Sequence, residues 1–377
     1  MNIYESLGLK PLINAAGTYT AIGGSKMSEN TANLMKEASR HFIDIRELQK
    51  AVNNELAKLT NNEAAAVCNG AASGLYICCA TCVSLLYNKS YNYLSKEDIE
   101  KSEFIVFRAH RNPYDWGLKL MNVKMVELGF PNIIMPVSEE ELEANINKNT
   151  AAIFFAYSGA NGWIADGELS LKKTVEIANK HNIPVIVDAA AQLPPKENLW
   201  RLTRDIGATA ALFSGGKELR GPQSSGLIVG KKHFIDYFVK MNFPNYGPGR
   251  MLKTGREEII GLYNAVKEYI EEDTNKRIEW CEKEVNKLVE YSKQSELFLI
   301  ERAFPNEASQ PIPRALVKLK KNSIELSYVV DKLLNMSPAV FTSLERGKLF
   351  ISPTCLYDGE MEIIIKHLDY IEKNLNK

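Results

Sequence analysis

An apolar run at 208–213 carries no charge and empties into Ser214-Gly215-Gly216-Lys217. A short, unbroken apolar run reads as a strand covered on both faces, and the two glycines free the backbone for a tight turn. Lys217 is thereby presented on a loop at a strand exit. An amine held among apolar strands can lose its proton near neutrality and form a Schiff base with an aldehyde such as pyridoxal phosphate. An ordinary surface lysine has the same local sequence, so the chemistry needs partners. The first is Asp188, the single acid at the exit of the run Ile183-Pro184-Val185-Ile186-Val187. Pyridoxal phosphate acts as an electron sink only while its ring nitrogen stays protonated, and a carboxylate beside that nitrogen keeps it so. Ligands of open parallel sheets gather beyond the carboxyl ends of the strands. The plainer reading of Asp188 is the cap of a following helix.

Cys68-Asn69-Gly70-Ala71-Ala72-Ser73-Gly74 lies between the apolar run 64–67 and the small, apolar segment 75–86. It reads as a strand, a glycine turn and a helix start, where free amides and the helix dipole cradle a phosphate. No Walker lysine follows, which argues against a nucleoside triphosphate. His110 follows the strand-like 104–107; its flat ring can stack on a pyridine, or it is a hydrogen-bonded loop histidine. Arg220 and Arg250 stand next to glycine, where a guanidinium can fork onto phosphate or carboxylate, although exposed arginines near turns are ordinary.

In this order, with Arg220-Gly221-Pro222-Gln223 after the lysine, the motifs resemble the fold type I pyridoxal phosphate enzymes. More narrowly they resemble the selenocysteine synthase-like group that includes D-glucosaminate-6-phosphate ammonia-lyase. Four further stretches carry the likeness: Tyr4-Glu5-Ser6-Leu7-Gly8, Ile13-Asn14-Ala15-Ala16-Gly17-Thr18, Gly249-Arg250-Met251-Leu252-Lys253-Thr254-Gly255-Arg256-Glu257-Glu258 and Ser352-Pro353-Thr354-Cys355-Leu356. The resemblance implies a mainly parallel, seven-stranded-type sheet with helices on both faces and a small α+β C-terminal domain. It implies pyridoxal 5'-phosphate on Lys217, with Asp188, Gly70, Ala71, Ala72, His110, Ala190, Ser214 and Gln223 around it; the Ser214 hydroxyl can donate to the phosphate. In relatives the N-terminal arm crosses to a partner subunit, which makes Asn14 and Thr18 substrate contacts beside Arg220 and Arg250, in a homodimer or larger homo-oligomer. The implied reaction is α,β-elimination of ammonia from an amino sugar acid such as D-glucosaminate 6-phosphate, giving a 2-keto-3-deoxy acid. The rivals are an aminotransferase or racemase on a small amino acid, a selenium transferase on seryl-tRNA, and a non-catalytic metabolite-binding regulator.

The elements that must position these residues alternate. Strand signals at 64–67, 104–107, 123–128, 151–157, 185–188, 208–213 and 227–229 are separated by helical patterns at 75–86, 114–120, 139–146 and 171–181. Such alternation argues an α/β fold with a mainly parallel sheet. Residues 88–102 read as an irregular surface insertion, and 257–291 as one long charged helix leading into the small domain. The expected partition is an arm at 1–27, a large cofactor-binding domain at 28–255, and the connector with the small domain at 256–377.

A chain of 377 residues, 45% of them apolar, can bury a core of this size. Its 46 Lys and Arg balance 46 Asp and Glu, leaving no basic surplus for a polyanion such as tRNA. The N-terminus lacks the pattern of a signal peptide and no stretch of about 18 apolar residues offers a membrane span, so a cytoplasmic protein is expected. The six cysteines lack metal-ligand spacing apart from the weak pair Cys79 and Cys82, and read as buried small hydrophobes with no metal.

Overall fold

The computed structural model describes residues 2–158, 167–321 and 324–375. The chain forms two compact units, Lys26–Glu272 and a second made of Met1–Ser25 with Asp273–Lys377.

In the larger unit, seven strands lie across one sheet in the order Ala64–Cys68, Gly226–Gly230, Ala210–Ser214, Val185–Asp188, Thr150–Ala156, Glu103–Phe107 and Lys124–Leu128. Gly226–Gly230 alone runs antiparallel to its neighbours; the other pairings are parallel. This is the mainly parallel seven-stranded sheet expected from the alternation. Period-two geometry divides each strand between the faces. Ala211 and Phe213 join one apolar cluster with Phe107, Phe155 and Val187, while Ala210 and Leu212 join the other with Phe104, Val106 and Ile186. Because both faces are covered, the strands read as continuous apolar runs.

The helix Gly70–Leu86 is packed into the second cluster along most of its length. Cys78, Cys79 and Cys82 lie on it, fully buried, and all six cysteines are free thiols. Burial pushes the Cys78 and Cys79 thiols well above the usual thiol range, so they act as packing groups.

Three expectations about elements need correction. Residues 88–102 are not irregular: a 3-10 turn at Tyr91–Tyr93 precedes the helix Lys96–Lys101, which Ser95 and Asp98 start with a capping box. The long charged helix is two, Arg256–Glu271 and Thr274–Gln294. Glu272 turns extended and the Asp273 carboxylate accepts from the amides of Asn275 and Lys276, beginning a new helix where the period alone showed none. The boundary between the units falls at this break, and residues up to Ser25 join the C-terminal unit instead of standing as an arm. Leu12–Asn14 pairs there in parallel with Ala339–Phe341.

That smaller unit also holds an antiparallel sheet in the order Ser343–Glu345, Lys348–Ile351, Arg314–Leu319 and Phe298–Ala303. Val285 and Leu288 of Thr274–Gln294 and Ile364 and Leu368 of Glu360–Lys373 close its core against Phe298, Val317 and Ile351. No helix among the described residues is long and apolar enough to cross a membrane.

Candidate active site

Strand direction brings the chemistry to one edge of the large sheet. Two antiparallel steps restore direction, so Ala64–Cys68 ends at the same edge as Ala210–Ser214, and Cys68 and Ser214 flank Gly226 in register. A Cβ on Gly226 would come within 2.6 Å of the Gly70 carbonyl carbon and 2.9 Å of the Ala71 nitrogen. The bare glycine therefore lets the start of Gly70–Leu86 sit directly over the sheet edge. No side chain caps that start at Asn69, while the Ser73 hydroxyl turns back onto the Asn69 carbonyl. Its first-turn amides are thus the kind that receive an anion. Ala71 is buried and Ala72 exposed.

Lys217 lies in a turn that its own backbone folds tightly. Gly215 donates to the Ser225 carbonyl at 2.8 Å, Gly221 to the Gly215 carbonyl at 2.7 Å, and Arg220 to the Lys217 carbonyl at 2.9 Å. Arg220 takes a left-handed φ of 55° to close it. A Cβ on Gly216 would stand 2.7 Å from the Cα of Gln223, which shows why this loop needs glycine before the lysine. The Ser214 amide donates to the Ala190 carbonyl at 3.3 Å, tying the lysine loop to the residues after Asp188.

Asp188 accepts from the Ala190 amide at 3.0 Å. Burial pushes its carboxyl above the ordinary range; the Ala190 amide and the Lys217 ammonium oppose this, and Asp115 adds to it. Asp188 is thus held by its own loop, and caps no helix among the described residues. It lines a small pocket with His110, Asp115, Phe155 and Ala156. His110 is buried, with its ring edge-on to Phe155 at 4.5 Å and tilted to Phe107 at 5.2 Å. Its Nε2 lies 2.7 Å from Glu168 Oε2.

Other expected residues are engaged elsewhere. Arg220 is ion-paired with Glu272, and Arg250 rests over the rings of Phe243 and Tyr246. Gln223 is exposed beside Gly216. Asn14 and Thr18 belong to the smaller unit, where the Asn14 amide donates to the Gly17 carbonyl at 2.8 Å and its Oδ1 accepts from Ala16 and Gly17. Sequence reasoning missed Asp115 and Glu168. Asp115 had a signal, since it sits five residues after His110 in the same polar loop and is held by Arg111. Glu168 had none.

The residues present fit pyridoxal phosphate on three structural grounds: an uncapped helix start that Gly226 lets approach the strand ends, a lysine loop tied to the next strand end, and a buried acid suited to a protonated ring nitrogen. The fold is that of the fold type I pyridoxal phosphate enzymes, as comparison with solved structures bears out. A D-glucosaminate-6-phosphate ammonia-lyase structure superposes with a TM-score of 0.82 over 100% of both chains at 23% identity. The ureidoglycine-glyoxylate aminotransferase of Bacillus subtilis does so with a TM-score of 0.61, covering 98% of this chain and 95% of its own, at 14% identity. Within that class the chain belongs to the SelA family, described as L-seryl-tRNA selenium transferase, whose model matches residues 12–291. It is 26% identical over 385 aligned positions to the D-glucosaminate-6-phosphate ammonia lyase of Salmonella typhimurium, covering 99% of this chain and 98% of that one.

Proposed function

We propose that this chain is a pyridoxal phosphate-dependent carbon–nitrogen lyase that eliminates ammonia from an amino sugar acid, D-glucosaminate 6-phosphate, to give a 2-keto-3-deoxy acid. The observation that carries the reading is the meeting of the lysine loop with the residues after Asp188 at one sheet edge, where the Ser214 amide donates to the Ala190 carbonyl, in a chain that matches a lyase of this kind from end to end. Pyridoxal phosphate, when bound, supplies an electron sink that makes the Cα proton of an attached amine acidic.

The protein's own residues do the rest. The amides of Gly70, Ala71 and Ala72 and the Ser214 hydroxyl hold the cofactor phosphate. Asp188 keeps the proton at the ring nitrogen, and the His110 ring bounds the same pocket. Lys217 Nζ takes the Cα proton and returns a proton to the departing hydroxyl on the neighbouring carbon. Water leaves, the resulting enamine takes water back, and ammonia and the keto acid are released. Atoms balance without an oxidant.

The substrate phosphate falls to arginine. Arg250 is the candidate, because Arg220 is ion-paired with Glu272 whereas Arg250 only rests over aromatic rings. We assign Asn14 and Thr18 to substrate contacts supplied across a homodimer. The balance of 46 basic and 46 acidic residues favours a small substrate over seryl-tRNA. Buried free thiols suit a reducing, cytoplasmic compartment.

Incubation of the purified protein with pyridoxal phosphate and D-glucosaminate 6-phosphate should release ammonia and keto acid in equal amounts. Conversion of the cofactor to its amine form without ammonia would instead identify a transaminase, and an inverted substrate without keto acid a racemase.

A further inference from the structure

Glu168 lies 58 residues from His110 in sequence, yet its Oε2 stands 2.7 Å from the imidazole Nε2. The histidine side chain is 3% exposed and the glutamate side chain 36% exposed. Phe155 and Phe107 wedge the ring at 4.5 and 5.2 Å, so its plane is set by packing. The other ring nitrogen, Nδ1, is buried and has no hydrogen-bond partner among the described residues. It belongs to a side chain lining the pocket that Asp188 shares.

A carboxylate only accepts hydrogen bonds, so the Nε2 facing Glu168 must carry a proton. In a neutral imidazole the proton is then spent, and Nδ1 is left as a bare lone pair. A buried acceptor without a donor is costly and calls for a partner that the described residues do not supply; this one lies on a side chain that lines the pocket. The charged side chains lining the pocket are acids, Asp188 and Asp115, the latter paired with Arg111, and Asn112 and Tyr114 are the other polar groups there beside His110. A ligand that meets these acids and His110 Nδ1 must offer them donors.

We propose that Glu168 is a positioning residue: by holding the Nε2 proton of His110 it fixes the tautomer in which Nδ1 accepts a hydrogen bond from a donor on the bound cofactor or its substrate adduct. The inference rests on the reading of this pocket as the cofactor site. Glu168 itself touches no ligand and acts through the ring. Asp188 and His110 Nδ1 would then both be acceptors toward the bound group, which is a stricter requirement than stacking alone.

The test is made first on the cofactor-free protein, by nitrogen-15 NMR of the histidine rings at neutral pH, with the His110 signals assigned by their loss in His110→Gln. The wild type should show protonated Nε2 and unprotonated Nδ1. Glu168→Ala should mix the tautomers and weaken pyridoxal phosphate binding about tenfold, whereas Glu168→Gln, whose amide oxygen can still accept, should restore most of both. Because the glutamate is partly exposed, thermal melts of the variants serve to confirm an intact fold. A wild-type ring protonated at Nδ1, a Glu168→Ala spectrum identical to wild type, or unchanged cofactor affinity would each overturn the assignment. The tautomer is read without substrate, so failure of the ammonia assay would remove the lyase reading and leave this measurement standing.

Discussion

Burial at the end of Val185–Asp188 pushes the Asp188 carboxyl above its ordinary value of 3.8, with the Ala190 amide and Lys217 offsetting only part of the desolvation. The sign of the consequence follows from linkage. A carboxyl raised in the folded state favours its neutral form, so its contribution to stability is full below pH 3.8 and is lost as pH rises through the folded value. Asp188→Asn should therefore melt a few degrees above the wild type at pH 8 when both are cofactor-free, with the gap closing by about pH 4. A wild type that gains on the variant as pH rises would contradict this. Loaded with cofactor the order of merit reverses, since Asp188→Asn no longer holds the ring proton and should lose turnover by about a hundredfold or more. Lys217 and Asp188 stand out in the sequence as candidates because each is the lone charge at the exit of an apolar run. Glu168 was not, because its meeting with His110 is made by the fold and leaves no spacing to read.

At the scale of elements, the site depends on how closely the helix Gly70–Leu86 begins over the sheet edge. Gly226→Ala would drive a methyl group against the backbone of Gly70 and Ala71, and backbone yields less easily than a side-chain tip. We expect a loss of about 1–3 kcal/mol in denaturant melts and pyridoxal phosphate affinity down by roughly tenfold or more. Wild-type affinity by absorbance titration would show that the helix start does not bind the phosphate. The alternation of strands and helices was readable because both faces of the sheet are covered, which removes polar residues from the strands. Its order was not: the placement of Gly226–Gly230 between Ala64–Cys68 and Ala210–Ser214 follows from pairing, which a linear pattern does not record. The same limit hid the break at Glu272 and Asp273, where one capping carboxylate outweighs an apolar stripe that continues on both sides.

For the molecule as a whole, the expected substrate contacts Asn14 and Thr18 lie in the unit formed by the first 25 and last 105 residues, and the residues proposed to hold the cofactor lie in the other. If the site is shared between subunits, the protein should elute as a homodimer or larger. Mixing Lys217→Ala with an Asn14→Ala, Thr18→Ala variant should then restore activity that neither has alone, through hybrid dimers with one intact site. An active monomer on sizing would refute the sharing. All of this presupposes one covalent attachment, and it can be read directly. Loaded protein treated with borohydride, digested and analysed by mass spectrometry should carry a pyridoxyl group on the peptide containing Lys217, and Lys217→Ala should lose both that mass and the yellow absorbance. A tag on a different lysine, or colour that survives the substitution, would contradict the account.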